Sequence, residues 1–124
     1  MVTQPAEVWR TVLRASLLAA RKKRDPTRVT ALRSVLSAID NAETPDTVVV
    51  TGRTNGAVAG AVAGVGSTEV ARRDLSDEQI RALVRSEIDE RLSAADQFIA
   101  GGHFARAEAM HAEVAILSDL LGDV

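Results

Sequence analysis

The chain contains no cysteine, so disulfides, thiolate zinc sites and cysteine nucleophiles are all excluded. Aromatics make up only 2% of the residues, as Trp9, Phe98 and Phe104. With so few aromatics the core must be built from Leu, Val, Ile and Ala for the most part, which suits close-packed helices better than a sandwich. Histidine is equally scarce, with only His103 and His111, and that limits both metal ligation and general-base chemistry. No apolar run reaches the roughly 18 residues that a membrane span requires. The N-terminus does not read as secretory, because Glu7 precedes the first basic residue and the apolar run Leu17–Ala20 is short. It is Arg-rich and amphipathic, as transit peptides are, but the same pattern continues into the fold and reads as a first helix. The expectation is a cytoplasmic protein of one compact domain spanning residues 1–124.

What is present is a charge asymmetry. The net charge is −2, yet residues 1–33 carry eight Arg/Lys against Glu7 and Asp25, a net of +6. Residues 34–124 carry seven against fifteen, a net of −8. A basic front and an acidic back predict either a local anion-binding face or complementary packing between helices.

Apolar spacing predicts four helices. The first runs from about Pro5 to Lys23, with Trp9, Val12, Leu13, Leu17 and Ala20 on one face. Asp25-Pro26 is a cap followed by a first-turn proline. It opens a second helix to about Glu43, striped by Val29, Leu32, Val35, Leu36 and Ile39. Thr44-Pro45 ends that helix. A different material follows, a Gly/Ala/Val-rich connector over about 44–74, with strand propensity at 46–51 and glycine every fourth residue from Gly56 to Gly64. The third helix starts at Ser76, where Ser76 and Gln79 form a capping box and Leu75 can staple onto Ile80. It reaches roughly Ala100, with Ile80, Leu83, Val84, Ile88, Leu92, Ala95, Phe98 and Ile99 facing inward. Gly101-Gly102 reverses the chain into a fourth helix from about His103 to Leu121, with Phe104, Ala107, Met110, Val114, Leu117 and Leu121 inward. The short linkers make two antiparallel hairpins, and the fold class is all-α with a four-helix arrangement.

Three constellations bear on chemistry. Glu108-x-x-His111 has the spacing with which helical bundles place two ligands on one metal, but the further pairs that such a site needs are missing. Seven cations gather at the first hairpin: Arg14, Arg21, Lys22, Lys23, Arg24, Arg28 and Arg33. Arg10, Arg14 and Arg21 recur at helical spacing, a stripe able to track phosphates without reading bases, since no aromatics interleave. The alternative is a dipole-matched helix end that pairs with the acidic half. On the third helix, Glu87, Asp89 and Glu90 alternate with Arg85 and Arg91, as a solvated face does. No serine-based nucleophile arrangement has a local signature, and no catalytic residue or cofactor is expected.

Leu32-Arg33 and Ala38-Ile39-Asp40-Asn41-Ala42-Glu43 precede Leu75-Ser76-Asp77-Glu78-Gln79-Ile80. Then come Glu90-Arg91, Phe98, Gly101-Gly102, Ala107-Glu108, Glu113, Leu117 and Leu120-Leu121. Together these residues resemble the GatB/YqeY family, in a form similar to its actinobacterial branch. The resemblance spans the chain outside residues 44–73 and rests on caps, turns and packing positions. It implies an all-α domain similar to the C-terminal tail of the B subunit of aspartyl/glutamyl-tRNA amidotransferase. It also implies a connection with tRNA or an amidotransferase subunit, under the family label of carbon–nitrogen ligase with glutamine as amido donor. On this resemblance the expectation is the four-helix part alone, without the small C-terminal helical domain that usual family members carry. The expected function is a non-catalytic tRNA- or amidotransferase-associated module. An assembly module and a metal-dependent enzyme built on Glu108 and His111 are the alternatives.

Overall fold

A computed structural model describes residues 4–44 and 73–123. These form four helices, α1 (Pro5–Lys22), α2 (Pro26–Glu43), α3 (Asp77–Ala100) and α4 (Phe104–Asp123), with no strand among the described residues. The segment of strand propensity at 46–51 and the glycine-rich run lie outside the described residues.

Each helix end follows from local chemistry. Pro5 occupies the first turn of α1, while Glu7 near its start and Arg21 and Lys22 at its end match the helix dipole. The Asp25 side chain accepts from the Arg28 N–H at 3.1 Å and caps α2 ahead of Pro26. The α3 capping box forms in full, with Ser76 Oγ accepting from the Gln79 N–H at 3.0 Å and Gln79 Oε1 accepting from the Ser76 N–H at 2.8 Å. Leu75 and Ile80 are both buried in one cluster, as the staple requires. Gly102 adopts φ +82° at the α3–α4 reversal, a conformation that only glycine takes without strain.

The helices make two antiparallel hairpins. α3 packs most extensively on α4, α1 packs on α2, and α2 in turn lies against both α3 and α4. The core between them contains Trp9, Leu13, Leu32, Val35, Ile39, Ile80, Val84 and Leu117, all fully enclosed. Trp9 fixes the relation of α1 to α3. Its indole N–H donates to Asp77 Oδ1 at 2.8 Å, and the Arg81 guanidinium lies 5.4 Å from its ring centroid.

The second hairpin is the longer one. α1 ends thirteen residues after Trp9, and the same count from Asp77 reaches Glu90. α2 begins eight residues before Ser34, which bonds to Glu87, and eight residues beyond Glu87 is Ala95. The first hairpin therefore ends level with the stretch from Glu90 to Ala95, and the tip of the second overhangs it. This corrects three expected core positions. Leu92, Ile99 and Phe104 have inward helical spacing but are 40%, 44% and 64% exposed; Ile99 and Phe104 lie beyond the level at which the first hairpin ends, and Leu92 lies at that level. Ala95 is the last buried residue of α3 and Ala107 the first of α4.

Candidate nucleic-acid interface

Arg10 opens the basic stripe, but it is engaged within the fold. Its guanidinium reaches across the first hairpin to Asp40 at 2.6 Å and bonds both oxygens of the buried Glu43. The Glu43 hydrogen bonds, with those of Asp40, outweigh burial and hold the Arg10 pKa well above its ordinary value. This cluster borders a cleft of about 320 Å³ lined also by Gln4, Glu7, Arg73 and Asp74. The Arg10–Asp40 bridge also gives the remaining cations a frame. Arg14 is one turn beyond Arg10, Arg21 lies two turns further, and Arg33 lies two turns from Asp40 in the same direction. All three continue along the same side of the first hairpin toward its turn.

At the turn stand Arg21, Lys22, Lys23 and Arg24, four consecutive exposed cations. With Arg14 and Arg33, which are also exposed, they make six that form no ion pair or hydrogen bond through their side chains among the described residues. Of the expected alternative, the dipole-matched helix end is present in Arg21 and Lys22, whereas pairing of these six with the acidic half is not found among the described residues. Arg28 alone of the seven is partnered, and its partner is the neighbouring Asp25 at 3.6 Å. Helix polarity explains the placement: the carbonyl end of α1 favours cations, and most of the acidic residues sit on the other hairpin.

The solvated face expected on α3 holds for Arg85, Asp89 and Glu90, which are exposed, and is corrected for Glu87 and Arg91. Glu87 and Arg91 are largely enclosed, with side chains 17% and 12% exposed. Arg91 donates to Glu113 Oε1 at 2.8 Å, and to both the carboxylate and the backbone carbonyl of Glu87 at 2.9 Å. The Ser34 hydroxyl closes the network from α2 by donating to Glu87. Burial disfavours the charged guanidinium, but the bonds to Glu113 and Glu87 overcome this and raise its pKa. The i,i+4 spacing of Glu87 and Arg91 was visible in the sequence. That Glu113 and Ser34 would close over them was not, because both belong to other helices.

Glu108 and His111 lie exposed on α4, and among the described residues no group of three or more His, Asp or Glu side chains is placed to hold a metal ion. No helix among the described residues is long and apolar enough to cross a membrane.

The fold and site together define a four-helix protein with an unneutralised basic turn. No family model, curated protein or solved structure matches the chain.

Proposed function

We propose that the protein is a non-catalytic RNA-binding module of the cytoplasm, with tRNA as its ligand and the first hairpin as its contact surface. One observation carries this reading: Arg14, Arg21, Lys22, Lys23, Arg24 and Arg33 are exposed cations on one hairpin without carboxylate partners among the described residues. A face of that kind attracts phosphates, releases their counterions on binding and does not discriminate bases. The resemblance to the GatB/YqeY family supports tRNA as the particular RNA, and an amidotransferase subunit as the protein associated with it. The label of carbon–nitrogen ligase fits the protein as an accessory to that chemistry rather than as its catalyst.

Fluorescence anisotropy with bulk tRNA at two salt concentrations tests the reading. Engagement of most of the six cations gives a slope of log affinity against log salt of about −3 to −5. Absence of binding at low salt refutes it, as does affinity unchanged when Arg21, Lys22, Lys23 and Arg24 are all replaced by Gln. A second reading, an assembly module, is favoured by the exposed Ile99 and Phe104 at the overhanging tip, with Leu92 exposed at its base. Light scattering that returns the monomer mass over a wide concentration range removes that reading.

A further inference from the structure

α1 and α3 end in the same hydrogen-bonded motif but with different residues at its critical position. At the end of α3, the His103 N–H donates to the Phe98 carbonyl at 2.7 Å and the Gly102 N–H to the Ile99 carbonyl at 3.0 Å. At the end of α1, the Asp25 N–H donates to the Ala20 carbonyl at 3.0 Å and the Arg24 N–H to the Arg21 carbonyl at 3.1 Å. Both are the six-to-one, five-to-two closure whose penultimate residue must adopt a left-handed backbone. In the second hairpin that residue is Gly102, at φ +82°. In the first it is Arg24, at φ +56°, the one non-glycine residue with positive φ among the described residues.

A side chain at such a position brings Cβ against the following carbonyl, and arginine lacks the short polar group with which Asn or Asp offsets that strain. The two backbone hydrogen bonds of the closure hold Arg24 in this conformation, but its side chain adds nothing to offset the strain among the described residues. Arg24 is exposed, and its side chain makes no hydrogen bond, ion pair or ring contact among the described residues. Asp25, the nearest carboxylate, already caps α2 and faces Arg28. The strain and the unneutralised charge thus coincide at the apex of the turn, between Lys23, which caps α1, and Asp25, which starts α2. Residues held in strained backbone conformations cluster where ligands are clamped, and here the side chain at the strained position is left facing solvent.

We propose that Arg24 is the anchor of the basic face, the residue whose planar guanidinium forks onto a nucleic-acid phosphate while Arg21, Lys22 and Lys23 supply diffuse attraction. Arginine suits that role because its donors match two phosphate oxygens at once, whereas lysine acts as a point charge. The inference rests on the RNA-binding reading above and adds which residue dominates the contact.

The test compares Arg24→Gly, Arg24→Lys and Lys23→Gln in the full chain, by thermal melting and by anisotropy with bulk tRNA. Arg24→Gly relieves the backbone, and its melting midpoint should rise by about 2–5 °C. Its affinity should fall roughly tenfold, and its salt slope should shrink by about one contact. Arg24→Lys should keep the wild-type midpoint and salt slope but bind roughly threefold more weakly. Lys23→Gln should reduce the slope similarly with a smaller loss of affinity and no change in melting. If Arg24→Gly and Lys23→Gln lose affinity equally, or Arg24→Gly loses none, the anchor role is overturned while RNA binding stands. If the wild-type protein does not bind tRNA at low salt, both fall together.

Discussion

Replacing Arg91 by Met would leave Glu87 and Glu113 facing each other without the cation that bridges them. All three side chains are less than one-fifth exposed, so water reaches the two carboxylates poorly. Removing one member of a buried ion pair costs about 3–5 kcal/mol, mostly because the remaining charge is left uncompensated. The network retains some solvent contact at its edges, which points to about 3 kcal/mol. Unfolding entropy is about 2.1 cal/mol/K per residue, so for 124 residues that loss lowers the melting midpoint by about 12 °C. Circular dichroism at 222 nm during heating, with urea titration alongside, measures both quantities. The cause can be separated from lost packing by a triple variant, R91M/E87Q/E113Q, which removes the stranded charges and should recover at least half of the loss. A shift below about 4 °C for Arg91→Met, or a triple variant less stable than the single one, refutes the reasoning.

Two further outcomes follow from the same contacts. The hydrogen bond from the Trp9 indole, with the Arg81 guanidinium, holds the Asp77 carboxyl below its ordinary value. Its stabilising contribution is therefore complete above the unfolded value, about 4, and declines as pH falls through the lowered folded value. Trp9 is the chain's one tryptophan, so its fluorescence should report an acid transition that Asp77→Asn abolishes; an unchanged transition in that variant refutes the link. Ser76→Ala removes half of the α3 capping box and should cost about 1 kcal/mol in urea unfolding, with tRNA affinity unchanged because Ser76 lies at the opposite end of the bundle from the basic turn.

Local chemistry wrote the helices into the sequence, and the structure bears them out closely. Asp25-Pro26 and the Ser76–Gln79 box set their helix starts to the residue, and Gly102 sets the second reversal. These are interactions among residues three or four apart, so pattern alone suffices to place them. Trp9, Leu13, Leu32 and Ile80 are core in both readings because each sits at the centre of an apolar stripe. The residues of the basic turn were likewise legible as a charge run.

What the sequence could not decide depended on lengths and on partners from other helices. Leu92, Ile99 and Phe104 have the spacing of core residues but are exposed, and the unequal reach of the two hairpins leaves Ile99 and Phe104 uncovered. Glu87 and Arg91 have the spacing of a solvated pair, and only Ser34 from α2 and Glu113 from α4 enclose them. Arg10 and Arg14 are equivalent on a helical stripe, yet Asp40 and Glu43 engage the first and leave the second exposed. Arg24 was one cation in a run of four until the backbone gave it a left-handed conformation. By itself, then, the sequence determined where the helices lie and where they stop, because capping and periodicity act within a few residues. The tertiary structure decided which charges are neutralised and which apolar side chains are covered, because those depend on the partners that other helices bring.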